Sequence, residues 1–202
     1  MTQLSLPRIS LAAAILGVGL ILSAALTAQS ASANDISPPP RLAEPSRYLT
    51  NTEAVVVDGT LAQFRAFWAE NPVTDFLKPT GRIPRIANVT VLEGVWGQPG
   101  SLRRVDFEDG GYTHERVLTN SDTEFTYQIW DISTASGRAI NHIYGTFGFE
   151  ELEGSQIRIT WNYNIKPRIF LARGPIRRYL EDDFAPFMET GLSDWAAAFE
   201  VR

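Results

Sequence analysis

The feature that most constrains this chain is a run of six segments, between residues 86 and 165, in which apolar and polar residues alternate. A period of two is typical of β-strands. The links between the segments are short and rich in Gly, Asn, Asp and Ser, which is typical of hairpins. The sequence therefore predicts an antiparallel meander of six strands: Ile86–Trp96, Leu102–Phe107, Tyr112–Leu118, Glu124–Ile132, Ala139–Glu150 and Gln156–Ile165.

Helical spacing appears on both sides of this run. A short β-branched segment, Glu53–Val57, is followed by Thr60, a residue type that caps helices, and then by apolar residues three and four apart. Residues 73–77 are compatible with one more helical turn. After Pro167 a wide apolar stripe at helical spacing predicts a long amphipathic helix, and Pro186 inside it predicts a kink or a break near Asp182–Asp183.

This order of elements predicts an α+β domain. Six strands in succession with no helix between them exclude a doubly wound βαβ fold. We expect a seven-stranded antiparallel sheet curved around one long C-terminal helix, with one or two short helices after the first strand. A sheet wrapped around a single helix can leave a pocket between them.

The N-terminal residues are predicted to lie outside this domain. Arg8 precedes the apolar run Ile9–Ala28, and a small-residue A-x-A cleavage site follows at 31–33, so residues 1–33 are interpreted as a signal peptide. The alternative is an uncleaved membrane anchor, since the run is about long enough to span a bilayer. Residues 34–49 are expected to form a solvated, proline-rich leader, and 50–202 the folded domain of an exported, periplasmic or secreted protein.

Composition excludes several classes of chemistry. The chain has no cysteine and two histidines, so disulfide scaffolds, thiolate metal sites and cysteine nucleophiles are ruled out, and a zinc site is not expected. The formal net charge of −5 disfavours binding to nucleic acid. No phosphate-binding glycine loop or nucleotide fingerprint is present, and we expect no cofactor.

Several motifs, in a fixed order, resemble those of the START-like helix-grip superfamily (SRPBCC), in particular its polyketide cyclase/dehydrase and lipid-transport branch. The resemblance extends over residues 52–199. It implies the helix-grip fold and a hydrophobic cavity for lipids, steroids or polyketides. The motifs are Gly100–Val105, Asp109–Gly110, His114–Val117, Phe125–Ile129, Ala139–His142 and Ile157–Trp161.

The resemblance also implies two polar pocket residues, Glu115 and His142. Strand alternation then predicts which neighbours share their face of the sheet, and the helix stripe would close the pocket from the other side. The predicted ligand-binding residues are Arg103, Val105, Phe107, Glu115, Val117, Tyr127, Ile129, His142, Tyr144, Phe184, Phe187, Met188 and Leu192, with Phe125 and Thr146 on the same strand faces.

The polar candidates each allow two interpretations. A buried Glu115 must be paired or protonated, and Arg103 on the neighbouring strand is a candidate partner; the alternative is a carboxylate at the rim in a surface ion pair. His142 could orient a ligand or move a proton, or be a half-buried structural histidine. The basic residues Arg168, Arg173, Arg177 and Arg178 are interpreted as a solvated flank, with transient contact to a membrane surface as the alternative.

Three functions fit this sequence. The first is an exported binding or transport protein for a hydrophobic small molecule or lipid held in an internal cavity. The second is a polyketide cyclase or dehydratase that uses Glu115 and His142 as its only candidate catalytic residues. The third is an interaction module of the cell envelope whose cavity is collapsed. Oligomeric state is not determined by the sequence.

Overall fold

A computed structural model describes residues 36–201 of this protein. The predicted signal peptide lies outside the described residues. Within them, no helix is both long enough and apolar enough to cross a bilayer.

Seven strands form one antiparallel sheet in the order β1-β7-β6-β5-β4-β3-β2. The six predicted strands are all present and are joined by successive hairpins, while β1 closes the sheet by pairing with β7. The strands are β1 Leu49–Asp58, β2 Ile86–Glu93, β3 Leu102–Phe107, β4 Tyr112–Asn120, β5 Glu124–Trp130, β6 Ile140–Leu152 and β7 Gln156–Pro167.

The predicted cap starts the first helix, α1 (Leu61–Glu70). The Thr60 hydroxyl accepts from the backbone N–H of Gln63 at 3.3 Å, and the Gln63 side chain accepts from the backbone N–H of Thr60 at 2.9 Å. This reciprocal capping box satisfies two N–H groups that the helix itself cannot pair. A 3₁₀ turn at Val73–Phe76 follows α1, so one full helix and one short turn lie between β1 and β2.

The C-terminal helical stretch is interrupted near the predicted place. Helix α2 (Arg173–Tyr179) continues into a π-helical turn (Leu180–Phe184) and then into α3 (Ala185–Glu200). Pro186 stands at the start of α3 and has no N–H to donate to the carbonyl four residues earlier, which accounts for the interruption. The observed architecture is the predicted α+β helix-grip arrangement.

A cluster of aromatic rings fills one part of the core, where α1 and α3 lie against the inner face of the sheet. Trp68 contacts Phe147 and Trp195 edge to face, with ring centroids 4.9 and 4.8 Å apart. The indole N–H of Trp195, which is fully buried, donates to the backbone carbonyl of Asn71 at 2.8 Å. The sheet and the two helices are therefore closely packed here, and a cavity can only lie beside this cluster.

The proline-rich segment was expected to be a solvated leader. In the structure it packs on the sheet. On the outer face of β5, the Trp130 indole N–H donates to the carbonyl of Ser37, and the Gln128 side chain donates to the carbonyl of Pro40, both at 2.7 Å. Both side chains are almost completely buried. We call residues 37–48 the strap, because they cover an outer sheet face that would otherwise be open to water.

Candidate functional site: an internal cavity

A cavity of about 120 Å³ lies between the inner face of the sheet, the 3₁₀ turn after α1 and the start of the C-terminal helical stretch. Its wall is mostly apolar and aromatic, with a few polar side chains. The lining side chains from the sheet are Ile86, Arg103, Val105, Phe107, Thr113, Glu115, Phe125, Tyr127, Ile129, Ile140, Ile143, Phe147, Trp161 and Tyr163.

The predicted inward face of β3, β4 and β5 is the face that lines the cavity. Cross-strand register explains this: Arg103 lies opposite Glu115, and Glu115 lies opposite Ile129. Directly paired residues in an antiparallel sheet project to the same side. Val117 is buried on the same face but lies outside the cavity wall.

The wall contains one buried ion pair. The Nε–H of Arg103 donates to Oε2 of Glu115 at 2.6 Å, and Nη2 of the same guanidinium lies 2.5 Å from this oxygen as an ion-pair contact. The two side chains are only 9% and 10% exposed, so the pair is shielded from water. The guanidinium also lies 3.7 Å from the ring centroid of Trp96, a cation–π contact. Contacts within the protein therefore hold both charged side chains in place.

The sequence analysis was wrong about the face of β6. Register pairs Tyr127 with Gly145 and Ile129 with Ile143, so from Ile143 onward the odd-numbered residues of β6 lie on the inner face of the sheet. His142, Tyr144 and Thr146 therefore lie on the outer face. The predicted face of His142 rested on the family resemblance, whereas the alternation of β6 itself, in which Ile143, Phe147 and Phe149 form the apolar side, indicates the opposite face.

His142 is instead a structural histidine beneath the strap. It is 1% exposed, its Nε2 accepts from the Tyr48 hydroxyl at 2.9 Å, and its Nδ1–H donates to Oδ1 of Asn141 at 2.7 Å. The same hydroxyl accepts from the backbone N–H of Ala43 at 2.9 Å. Burial, together with the charge of Lys166 beside it, lowers the pKa of His142 to about 4. The imidazole is therefore neutral and occupied on both nitrogens.

Two buried tyrosines line the cavity, and their hydroxyl groups differ in hydrogen bonding. The Tyr127 hydroxyl accepts from the indole N–H of Trp161 at 2.9 Å. The hydroxyl of Tyr163 makes no hydrogen bond to any residue of the range 36–201, although the side chain is only 7% exposed. Desolvation raises the pKa of both hydroxyls, so both are protonated. Tyr163 therefore offers a free O–H group at the cavity wall.

Space for the Tyr127 ring depends on a glycine across the strand. A Cβ atom at Gly145 would overlap the ring of Tyr127. Gly145 therefore lets this tyrosine lie flat over β6 and reach Trp161. The requirement could have been found in the sequence only by knowing which residue pairs with Gly145.

The helical part of the wall matches the prediction in two of four positions. Phe184 and Phe187 line the cavity, and the Phe184 ring stacks on Tyr163 with centroids 4.2 Å apart. Met188 and Leu192 are fully buried but lie outside the wall, because α3 turns them into the solid core next to β1.

Several wall residues were missed by sequence reasoning. Most of them come from the loop region before β2 and from the β5–β6 connection, which carry no periodic pattern, while Trp68 lies in α1 and Tyr179 in α2. Trp96 is another, since its segment was assigned to a strand that in fact ends at Glu93. The additional lining residues are Trp68, Pro72, Val73, Thr74, Leu77, Ile83, Pro84, Trp96, Ile132, Thr134, Ser136, Gly137 and Tyr179. Within the described range, no cluster of three His, Asp or Glu side chains could hold a metal ion.

Solved structures share this architecture. The Zhui aromatase/cyclase from Streptomyces sp. R1128 superposes with a TM-score of 0.58 at 14% identity, covering 77% of this chain and 96% of that one. Ara h 8.0201 gives 0.52 at 14% identity, with 77% and 99% covered. The protein XoxI from Bacillus cereus gives 0.52 at 18% identity, with 74% and 94% covered.

The class of this protein follows from these observations. It has the helix-grip fold that the sequence analysis expected, and the solved structures above share this fold. No protein-family model matches the sequence, and no curated protein matches it either. At identities this low the neighbours identify the architecture alone.

Proposed function

We propose that this protein is an exported binding protein that holds a small hydrophobic molecule in the cavity between its sheet and its C-terminal helical stretch. The observation that carries the proposal is the apolar and aromatic wall, at which the Tyr163 hydroxyl has no hydrogen-bond partner among residues 36–201. An apolar cavity with a few placed polar groups is the usual form of a small-molecule site. Apolar burial would supply most of the affinity, and the polar groups would set orientation.

The size of the cavity restricts the ligand. Its volume of about 120 Å³ is close to that of an engineered protein cavity, roughly 150 Å³, that binds benzene. Sites for drug-sized molecules are larger, roughly 300–1,000 Å³. The geometry therefore favours a ligand of about one ring or a short branched chain, with one polar atom to meet Tyr163. A whole lipid would require side chains of the wall to move.

The structure separates the two candidate catalytic residues of the enzymatic alternative. Glu115 faces the cavity, whereas His142 lies on the other face of the sheet with both ring nitrogens occupied. The two groups cannot act together on one substrate. The aromatase/cyclase among the structural neighbours keeps cyclisation as a second candidate function, but Glu115, already bound to Arg103, would have to serve without a histidine.

Native mass spectrometry on protein purified from its own host tests the proposal. We expect a bound mass of a small lipophilic compound, and in stripped protein we expect fluorobenzene to bind, detected as ¹⁹F line broadening. The variant Ile143→Phe, which fills the cavity, should abolish both signals. Its control is Tyr144→Phe, because the next side chain lies on the outer face. An unliganded mass together with no fluorobenzene binding would refute the proposal and favour the collapsed-cavity alternative.

A further inference from the structure

Three consecutive large apolar side chains are exposed in the connection between β7 and α2. Ile169, Phe170 and Leu171 are 62%, 83% and 82% exposed. We call them the apolar tip. Contiguous exposed apolar side chains are unusual on a soluble surface and mark contact sites.

The tip is held out by an ordered turn. The backbone N–H of Ala172 donates to the carbonyl of Ile169 at 3.1 Å, and a 3₁₀ turn spans Phe170–Ala172. Ala172 and Ile176, which follow directly, are buried in the core. The base of the turn is therefore anchored, and the three side chains are presented to the outside by the fold itself.

The surroundings of the tip are strongly basic, in a protein whose net charge is −5. No acidic residue occurs between positions 154 and 180. The second half of this stretch, from position 166 onward, contains five basic residues: Lys166, Arg168, Arg173, Arg177 and Arg178. Arg173 also reaches the backbone carbonyl of Arg47, which brings the strap's arginine to the same place. Arg168 and Arg177 are exposed and make no ion pair with any residue of the described range.

The acidic residues that follow are partly neutralised. Asp183 turns inward and binds Arg82, accepting from its backbone N–H at 3.0 Å and from its Nε at 2.7 Å. Only Glu181 and Asp182 remain exposed, one helical turn beyond the arginines. Of the three consecutive acidic residues at 181–183, two therefore remain to weaken the basic field.

From this juxtaposition we propose that the apolar tip inserts into the interface of a membrane containing anionic lipids, with the surrounding arginines on the lipid headgroups. An apolar wedge bordered by cations is the combination that peripheral membrane sites use. A nucleic acid could stack on Phe170 but would leave Ile169 and Leu171 exposed, and a protein partner would not require a basic border of this extent. The membrane is therefore the occupant that matches both halves of the surface.

The tip also lies at a defined end of the sheet. Strand β7 ends where β6 begins and β5 ends, so the tip is at the same end as the cavity-lining residues of the β5–β6 connection, Ile132, Thr134 and Gly137. Val95, in the β2–β3 connection, is at the opposite end. If the cavity binds a ligand as proposed above, contact at this end would let a lipophilic molecule pass between bilayer and protein with little exposure to water.

Site-specific labelling of the full chain tests the proposal, because the natural sequence contains no cysteine. Phe170→Cys carries an environment-sensitive dye, and Val95→Cys, exposed by 63%, carries the same dye as the control. With vesicles of phosphatidylglycerol and phosphatidylcholine in equal amounts, we expect a blue shift and a gain in intensity at position 170 and none at position 95. Labelling makes the test independent of vesicle binding through residues 1–35.

The charge requirement is tested with two arginines. In the labelled Phe170→Cys protein, Arg168→Gln with Arg177→Gln should raise the vesicle concentration at half response about 25-fold, since each arginine near an anionic surface contributes about five-fold. Pure phosphatidylcholine or high salt should weaken the response similarly. The proposal is refuted by equal responses at positions 170 and 95, by a response that ignores lipid charge, or by a shift produced by protein concentration or RNA alone. Failure of fluorobenzene binding would not alter any of these outcomes, so the two proposals can fail separately.

Discussion

Arg103 and Glu115 stand directly opposite each other on β3 and β4, and their side chains form a hydrogen-bonded ion pair inside an apolar cavity wall. Taking two charges out of water is costly, and their mutual attraction offsets this cost only when the geometry is good. Here Trp96 supplies a third contact, to the guanidinium. The pair therefore ties stability to the shape of the proposed binding site.

Removing one partner of this ion pair should destabilise the folded protein. We expect Glu115→Gln to lower the free energy of unfolding by about 3 kcal/mol, because it leaves the Arg103 charge buried without its carboxylate. The double variant Arg103→Met/Glu115→Met should recover much of this loss, since no charge is then left unpaired. Urea denaturation measures both.

An exposed pair in the same protein provides the control. Lys78 and Asp194 are 2.6 Å apart, but their side chains are 65% and 38% exposed. Lys78→Met should therefore change stability by less than about 1 kcal/mol. A Glu115→Gln loss no larger than this would mean that water screens the buried pair.

The two cavity tyrosines should separate stability from binding. Tyr127→Phe leaves the Trp161 indole N–H without its acceptor and should cost about 1–2 kcal/mol of unfolding free energy. Tyr163→Phe should leave the stability of the unliganded protein nearly unchanged, because its hydroxyl has no partner to lose among residues 36–201. Urea denaturation of the two variants checks this contrast.

Ligand binding should show the reverse order. Tyr163→Phe should weaken the binding of 4-fluorophenol by about five- to ten-fold, the value of one hydrogen bond, and leave fluorobenzene binding unchanged, both followed by ¹⁹F NMR. Equal effects on the two probes would indicate a change of cavity shape and argue against a hydrogen bond from this hydroxyl.

Two glycines on β6 differ in what surrounds them. Gly145→Ala places a methyl group into the Tyr127 ring, so we expect a loss of about 1–3 kcal/mol and a shifted tyrosine. Gly148→Ala is the matched control on the same strand, since a Cβ there meets no atom within 4 Å, and its effect should stay within about 0.5 kcal/mol. Thermal unfolding and the near-ultraviolet dichroism of the aromatic rings report both effects, and similar losses in the two variants would contradict the close approach of Tyr127.

Sequence reasoning succeeded where the signal was periodic and local. The strand alternation placed Arg103, Val105 and Glu115 on one face, and Pro186 indicated the interruption of the C-terminal helical stretch. It failed at His142, whose face was taken from the family resemblance, and the register shift between Ile140 and His142 has no local signal in the sequence. The alternation of Ile143, Phe147 and Phe149 did carry the correct face of β6.

The strap was missed for a different reason. Its contacts join backbone carbonyls of Ser37 and Pro40 to side chains about 90 residues away along the chain. Such carbonyls have no residue-specific signature, so proline content alone suggested a solvated segment. The available clue lay on β5, where both alternating sets of residues are bulky and include Gln128 and Trp130, as expected for a strand covered on both sides.

The strap is also expected to be sensitive to acid, through His142. Its pKa in the folded protein, about 4, is below the ordinary value of 6.5, so the unfolded chain binds the proton first as the pH falls. The contribution of neutral His142 to stability is therefore complete above pH 6.5 and is lost between pH 6.5 and about 4. Protonation of the ring requires the hydrogen bond from Tyr48 to Nε2 to break, so opening of this end of the strap becomes more favourable as the pH falls through this range.

Unfolding free energies measured between pH 7.5 and pH 4 should fall with acidification, and His142→Gln should remove most of that slope. His114 is the control histidine: burial also lowers its pKa, but a hydrogen bond from its ring to Asp131 opposes the shift, so His114→Gln should leave most of the slope in place. Limited proteolysis within residues 37–48 should accelerate at pH 5 in the wild type, and at neutral pH in Tyr48→Phe, which lacks the donor to Nε2. Strap cleavage that is unaffected by both pH and Tyr48→Phe would show that His142 does not hold the strap closed.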